Sequence, residues 1–455
     1  MTLDRDVEPG PDDAIETRLA AAGLPPLPRR SWLEIDLDGL AANAGRLRAL
    51  LPARTALGVV VKADGYGHGL EMAAGAAIAG GARLLVVATL DEGLLLRDAA
   101  ITDPILVIYP VPPAELGRAI DARLDLVVAD DASVAAMAGH LASRARGAGP
   151  AVIAAGDAAP DVHLGIDTGM GRGGLRPERA ADAARRLLAA GLPALAGTWS
   201  HLAAPDDAGS VGAQVGRFEA ALAELAAAGI DPGLRHLNAT GGVVTGTAPA
   251  YDLVRVGLAF YGVLPPEVEV ADALAGHAAA LRPALALHAR TTLLSTIEAG
   301  DRVGYAGTWT APRRSAVATI ALGYADGWVR AYAPGSWAIV RGRRVPVIGR
   351  ISSDALALDV TDVAGFDIDD PITLIGAGGG AMTVHDLAAI RDSISWEVLD
   401  ALAPRLSRVY LRGGRPVAVR YADGRVRHAD GRVRHADGRA RHAGTTTGDV
   451  QPAGR

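Results

Sequence analysis

Short apolar runs alternate with Ala- and Leu-rich helical stretches from about residue 30 to residue 270, and nothing else in the chain restricts its fold as tightly. Strands are expected at 32–37, 56–61, 82–90, 105–109, 124–128, 161–166, 194–198, 234–238 and 254–260. Helical stretches at 40–50, 69–79, 91–100, 113–120, 131–146, 177–190 and 214–228 lie between them. Strands that each return through a helix run parallel, and a count near eight favours a closed α/β barrel of the TIM type over an open sheet. Chemistry in such a barrel gathers at the C-terminal ends of the strands. Lys62, Arg172, His201 and Arg255 all fall there.

After about residue 270 the pattern changes to short Val-, Ile- and Leu-rich runs at 285–293, 314–321, 338–340, 345–347, 357–360 and 371–374, separated by Gly, Pro and Asp. This predicts a β-rich second domain with helices near 384–390 and 395–401, joined to the barrel through a linker at 265–277. The expected division is an N-terminal extension at 1–29, partly disordered; the barrel at 30–270, whose first strand is a candidate to pack on the second domain; the β-rich domain at 271–420; and a low-complexity tail at 421–455. The tail carries a near-perfect seven-residue repeat, Ala-Asp-Gly-Arg-Val/Ala-Arg-His, from Ala422 to His442. One Gly per repeat and almost no large apolar side chain argue against a coiled coil, so disorder is expected. Its histidines and arginines leave metal or phosphate contacts as an alternative, against which stand the interspersed Asp residues and the lack of aromatic anchors.

Among 455 residues there is no cysteine, which removes disulfide scaffolds, thiolate nucleophiles and Cys-ligated metal centres. A net charge of -6 gives no general attraction to nucleic acid or anionic membranes, and the acidic first eighteen residues lack a secretory pattern. A small-molecule substrate and a cytoplasmic location are the expectation, with no metal, nucleic-acid or membrane role.

The most telling local motif is Val59-Val60-Val61-Lys62-Ala63-Asp64-Gly65-Tyr66-Gly67-His68-Gly69. An apolar strand delivers one lysine to a glycine-rich turn, where the backbone approaches a ligand closely and a phenol is presented beside it. A strand-end lysine often only reaches for solvent. The glycines shift the reading toward an amine that partners an aldehyde cofactor such as pyridoxal phosphate. No dinucleotide or ATP fingerprint is present.

This motif resembles the signature of the alanine racemases. Further segments resemble that family in the same order: Glu34-Ile35-Asp36-Leu37, Val162 to Arg172, Ser200-His201-Leu202-Ala203, Asp252 to Gly257, Gly323-Tyr324-Ala325-Asp326-Gly327 and Arg408-Val409-Tyr410. The resemblance runs from about residue 30 to residue 412. It implies a pyridoxal-phosphate barrel with a β-rich C-terminal domain and a homodimer whose active sites are composite. By the same resemblance, Lys62 is the Schiff-base lysine and one catalytic base. Tyr305, in Val303-Gly304-Tyr305-Ala306-Gly307-Thr308, is the opposite base, supplied by the partner subunit. Two bases on opposite faces of a planar carbanion allow inversion in either direction, where one base tends to return the proton to the face it left.

The resemblance further implies that Arg255 meets the pyridine nitrogen, with His201 beside the ring. Tyr66, Asn238, Thr240 and the Gly257 amide bind phosphate, and Arg172 contacts the cofactor and, with Ser353, the substrate carboxylate. Asp206, Tyr324, Arg330 and Arg350 line the entry channel. Guanidinium only donates, so the ring nitrogen stays unprotonated and the ring is a weaker electron sink, which favours returning the proton over transamination or decarboxylation.

Four positions depart from the family: Gly165 where many relatives have a lysine, Ala239 where a serine is usual, Ser353 for methionine and Trp396 for a phosphate-binding tyrosine. They redraw the pocket without touching the two bases. Racemisation of alanine is the leading expectation. Serine or a broader set of small amino acids is the alternative, and a non-catalytic pyridoxal-phosphate-binding protein the second. A barrel-type decarboxylase fits less well, because such enzymes look to a cysteine and to an acid at the ring nitrogen.

Overall fold

The computed structural model describes residues 13–147, 159–434 and 440–442. The first strand, β1 (Ser31–Asp36), stands outside the barrel. It pairs antiparallel with β10 (Leu285–Ala289) and parallel with β19 (Ser407–Arg412). Then come β2 (Ala56–Val60), β3 (Leu84–Val87), β4 (Ile105–Val107), β5 (Asp125–Val128), β6 (Val162–Gly165), β7 (Gly197–Trp199), β8 (Leu234–His236) and β9 (Leu253–Val256), all parallel and in the order β8-β7-β6-β5-β4-β3-β2-β9. The two ends of this sheet meet: the Arg255 amide donates to the Asn238 carbonyl at 2.9 Å, and the Asp252 amide to the Arg235 carbonyl at 3.1 Å. The eight strands therefore close into the expected barrel.

Period-two alternation divides the barrel strands between two environments. Leu57, Val59, Leu85, Val87, Val107, Leu126, Val128 and Leu164 pack outward against the helices. The inward set is different on its two sides. Leu84, Val86, Leu106, Val127 and Leu253 make an apolar cluster, whereas β6, β8 and β9 turn His163, His236 and Arg255 into the interior, each at most 1% exposed. Buried polar groups persist only when paired, so this side of the barrel must be a hydrogen-bonded network.

The remaining strands are β11 (Thr291–Ile297), β12 (Arg302–Val303), β13 (Trp309–Thr310), β14 (Ser315–Ile320), β15 (Trp337–Val340), β16 (Arg343–Ile348), β17 (Leu356–Asp359), β18 (Ile372–Ile375), β20 (Arg415–Arg420), β21 (Val426–His428), β22 (Arg432–Arg434) and β23 (Ala440–His442). Apart from the β12–β13 hairpin they join β1, β10 and β19 in one sheet, ordered β11-β14-β17-β16-β15-β18-β10-β1-β19-β20-β21-β22-β23. The single strand expected at 285–293 is two strands, which pair with different neighbours on either side of Arg290. The run expected to be strand to residue 260 leaves the sheet at Gly257 and makes a tight turn over Leu258–Tyr261. The 265–277 linker includes a turn at Asp272–Leu274 and the start of a short helix, Ala275–Ala280.

Both ends of the chain hold more structure than expected. Residues 15–21 form a helix whose Ile15 and Leu19 pack with Leu24 on Trp32, Val409 and Val419. The Arg18 guanidinium meets Glu34 at 2.9 Å. Residues 1–12 of the expected partly disordered extension lie outside the described residues.

The tail expectation needs correction: residues 426–434 are not disordered but continue the sheet. Each of the first two repeats contributes one turn and one strand. Asp-Gly supplies the turn, with Gly424 and Gly431 at φ +77° and +82°. The carboxylates of Asp423 and Asp430 accept the Arg425 and Arg432 amides two residues on. The Arg-Val-Arg segment that follows pairs antiparallel with the unit before it. What the composition lacks in apolar mass is replaced by an existing sheet edge. Residues 435–439 and 443–455 lie outside the described residues.

Candidate active site

β2 ends at Val60, and the chain then enters a left-handed turn: Ala63, Asp64, Gly65, Tyr66 and Gly67 all have φ between +45° and +75°. Side-chain residues in this region cost roughly 1–2 kcal/mol each, so the turn is held from outside. Asp64 pairs with Arg420 at 2.6 Å and accepts the Leu70 amide at 3.0 Å. Arg408 Nε donates to the Gly67 carbonyl at 2.8 Å, and the Ala63 amide donates to Glu92 at 2.7 Å. Burial alone would raise the Asp64 carboxyl, but Arg420, then Arg408 and the Leu70 amide, outweigh it and hold it below the usual carboxylate range. The strain is thus fastened by two arginines of the second domain, and it aims Lys62 and Tyr66 into one cavity.

That cavity, ≈ 860 Å³, opens at the C-terminal mouth of the barrel. Of the residues expected to bind cofactor, Lys62, Tyr66, Arg172, His201, Thr240, Arg255 and Gly257 line it, as does Asp206. Asn238 does not: its amide nitrogen donates to the Ala248 and Pro249 carbonyls, bracing the loop behind the site. Tyr305, Tyr324, Arg330, Arg350 and Ser353 also lie elsewhere, on the second domain. Tyr305 is 69% exposed, too open to be a core residue, and borders a shallow hollow with Arg350 and Ser352. The Tyr324 amide donates to the Ser352 carbonyl at 3.1 Å, which ties that tyrosine to the same face.

Inside the cavity the floor is cationic. Arg255 is 1% exposed, and one of its Nη atoms donates to the Ser200 carbonyl at 2.7 Å and lies 3.3 Å from His201 Nδ1. Its guanidinium lies 5.0 Å over the Trp199 ring. Burial, with Arg172 nearby, lowers the Arg255 pKa to about 9. Burial, and then Arg255, Arg172 and Lys62, push His201 down to about 3. His201 is therefore neutral at pH 7. Three cations converging on a neutral imidazole make a site for an anionic, flat ligand.

Close approaches shape the other end of the cavity. Thr240 Oγ1 accepts the Gly257 amide at 3.1 Å. A Cβ at Gly257 would stand 3.0 Å from the Tyr66 hydroxyl, so backbone and phenol face each other across a gap that only glycine leaves open. Trp396 reaches this end from the second domain of the same chain. Its indole N–H donates toward the Tyr66 oxygen, against a burial effect that raises the Tyr66 pKa. Pyridoxal phosphate fits these residues: an amine for its aldehyde, a guanidinium at the ring and a hydroxyl-lined end for its phosphate.

Two features escaped the sequence reading. At Gly165 a Cβ would meet Trp199 Nε1 at 3.2 Å, so the side-chain space where many relatives carry a lysine is closed by an indole from the neighbouring strand. The second is His236, whose Nδ1 lies 2.7 Å from Arg255 Nη1. Its only sequence signal is an inward position on a barrel strand.

The chain matches the alanine racemase N-terminal domain over residues 35–265 and the alanine racemase C-terminal domain over residues 284–410. It is 37% identical over 385 residues to an alanine racemase of Symbiobacterium thermophilum, covering 84% of this chain and 97% of that one. The solved alanine racemase of a D-cycloserine-producing Streptomyces lavendulae is 34% identical, with a TM-score of 0.74 over 85% of this chain and 98% of that one. The Bacillus anthracis enzyme, solved with L-Ala-P bound, is 29% identical, with a TM-score of 0.75 over 87% and 98% of the two chains.

Proposed function

This chain belongs to the alanine racemase family, and from that premise we propose that its barrel cavity is completed by the exposed Tyr305 face of a second copy. The chain is a pyridoxal-phosphate-dependent racemase acting on alanine. The observation that carries the composite site is a separation: Lys62, His201, Arg172 and Arg255 share one cavity, while Tyr305 stands on a surface outside it. A racemase needs a proton acceptor on each face of the reacting carbon. One chain supplies only the first.

Leu293, Leu294, Tyr305 and Tyr324 are all exposed on the second domain, at 65%, 45%, 69% and 47%. Leu293 pairs with Thr319, which pairs with Ala357, and both of these border the Tyr305 hollow. Exposed apolar side chains on this edge strand and beside that hollow mark a protein contact, and a two-fold dimer makes each such contact twice.

When bound, the cofactor supplies an electron sink for the α-carbon. The chain's own residues do the rest. Lys62 holds the cofactor and moves the α-proton on the barrel side; Tyr305 of the second copy acts on the other. Arg255, permanently a donor, keeps the ring nitrogen from taking a proton. His201, held neutral between Arg255 and the cavity, is placed to relay hydrogen bonding toward the incoming phenol. Arg172 neutralises the substrate carboxylate, with Ser353 of the second copy beside it. Asp206 on the barrel and Tyr324, Arg330 and Arg350 on the second domain form a polar approach that admits a zwitterion.

The test is inversion and α-proton exchange of a panel of L- and D-amino acids in deuterated water, with borohydride used to fix the cofactor on Lys62. Inversion of alanine with label on Lys62 is expected. Exchange without inversion would defeat the two-base reading. Faster inversion of serine than of alanine would show that Ser353 and Trp396 reset the pocket.

A further inference from the structure

The polar side of the barrel interior is a chain of contacts that the reaction as described leaves unused. Arg255 Nη1 lies 2.7 Å from His236 Nδ1. His236 Nε2 lies 3.0 Å from His163 Nδ1. His163 Nε2 lies 3.8 Å from an Asp125 oxygen at the N-terminal end of β5, where Asp161 also contributes negative charge. The line therefore crosses the barrel from the cofactor cavity to the opposite mouth.

Its direction follows from donor chemistry alone. Guanidinium has no acceptor, so Nδ1 of His236 must accept and its proton sits on Nε2. That proton points at His163 Nδ1, which must then accept, leaving the His163 proton on Nε2 and facing the carboxylates. Each hydrogen-bonded link fixes the next. We propose that His236 and His163 are positioning residues for Arg255, a one-way hydrogen-bond chain that ends toward the Asp125 charge and holds the guanidinium against the cofactor's ring nitrogen.

Further observations fit a built chain. His163 and His236 are 1% and 0% exposed, and their rings pack edge to face with centroids 5.1 Å apart. Room for them is made by Gly197 on the strand between: a Cβ there would stand 2.4 Å from His163 Nδ1. Above, Trp199 stacks over His236 and under Arg255, closing the network from the cavity. Neutral histidines suit the task. A protonated His236 would put a second cation against Arg255, and burial together with Arg255 keeps its pKa well below the ordinary value.

The inference rests on the reading of Arg255 as the ring-nitrogen contact, and its test separates the two. Long-range ¹⁵N NMR of histidine-labelled apoprotein should show both His163 and His236 as Nε2–H tautomers, a result that needs no cofactor. A tautomer with the proton on Nδ1 of His236 would sink the proposal whatever the enzyme does. In the loaded enzyme, His236→Leu removes the acceptor and should weaken cofactor binding about tenfold and shift the cofactor's absorbance. His236→Asn keeps an acceptor oxygen at the Nδ1 position and should recover most of the affinity and the native spectrum.

Gly197→Ala should act in the same direction as His236→Leu, since its Cβ would press both the His163 ring and the Leu234 carbonyl of the paired strand. Unchanged affinity and spectrum in both would overturn the chain. If His236→Leu does not fold, the His236→Asn comparison and the apoprotein tautomers still decide. Failure of wild-type protein to be labelled on Lys62 by borohydride would instead refute the cofactor reading and leave the tautomer result standing.

Discussion

The two halves of the proposed active site are built in opposite ways. The barrel half is enclosed and prearranged: Arg255 and Tyr66 are at most 5% exposed, and second-domain arginines pin the turn that carries Lys62. The Tyr305 half lies open on the surface, with its tyrosine 69% exposed beside a short hairpin. Charge explains the difference. A cavity that gathers three cations must be shaped by the fold itself, because their mutual repulsion is offset only by fixed partners and a bound anion. A phenol carries no such penalty in water and can wait on a surface for the second copy to cover it.

The contrast is broken most sharply by mixing. Lys62→Ala and Tyr305→Phe should each lower racemisation by roughly 100- to 10,000-fold. Co-refolding equal amounts should restore about a quarter of native activity, since half the random dimers are mixed and each mixed dimer has one intact composite site. No recovery in mixtures shown to contain the mixed dimer would place both groups in one chain and refute the composite site. Tyr305→Phe alone should still accept cofactor on Lys62.

Next in size are Leu293 and Leu294, which are exposed on the edge strand β11 and do not line the cavity. Leu293→Glu with Leu294→Glu should weaken dimerisation by about tenfold or more and make specific activity depend on protein concentration, with cofactor binding to the barrel kept. Sedimentation and assays over a dilution series read both. Unaltered association would show that this face is not the contact.

How much of this was legible varies with the kind of constraint. The barrel followed from alternation because most of its strands bury both faces and are apolar along their length, with His163, His236 and Arg255 the inward exceptions. Lys62 was legible because a lysine after three valines and before alternating glycines is an unusual combination. His236 was not, since a histidine in a strand looks alike whether it packs or bonds. Asn238 was misplaced toward the phosphate because its motif neighbours Thr240 do face the cavity; only the fold shows its amide turned to Ala248 and Pro249. The repeat was misread for a physical reason too: composition reports what a segment can do alone, and β21 and β22 are stabilised by an edge that the preceding domain provides.

The enclosed half should also dominate the response to acid. His68 Nδ1 donates to the Gly65 and Tyr66 carbonyls, its Nε2 is buried without a partner, and burial lowers its pKa to about 4. His236 is lowered as well. Between about pH 6.5 and 4 the unfolded chain binds protons that these folded histidines refuse, so stability rises with pH through that window and is lost as pH falls. His68 should cost roughly 2 kcal/mol at pH 5 relative to pH 8, and His236 acts in the same direction. Asp400, raised to about 6 by burial of its carboxyl, works the other way, weakly because the residue as a whole is exposed. Urea midpoints at the two pH values check the sign; equal midpoints would contradict it.

Trp396 joins the two halves within one chain, and its effect should be smaller. Trp396→Phe removes the indole donor to Tyr66 while keeping most of the wall, so cofactor dissociation should rise severalfold, the scale of one hydrogen bond. Trp396→Tyr returns a hydroxyl at the phosphate end and should bind at least as tightly as the native protein. Fluorescence titration of apoprotein with the cofactor distinguishes them, and a gain for Phe would show that the indole crowds Tyr66 and does not orient it.

Smallest of all should be the loss of residues 429–455. This truncation removes β22 and β23 and the Arg434 contacts, which tie the repeat to Glu71 at 2.8 Å and to the Ala99 carbonyl at 2.7 Å. Glu71, in the helix that follows β2, and Ala99, which caps the helix that follows β3, lie behind the Lys62 turn, so the repeat does touch the enclosed half. Yet the ion pair is partly solvated, which limits its contribution to about 1 kcal/mol, and Arg420 and Arg408, which hold the turn itself, precede the cut. The melting temperature should therefore fall by a few degrees at most, with kcat, KM and cofactor affinity unchanged. A large loss of cofactor affinity would mean that Glu71 and the repeat, and not the two arginines, fasten the strained turn.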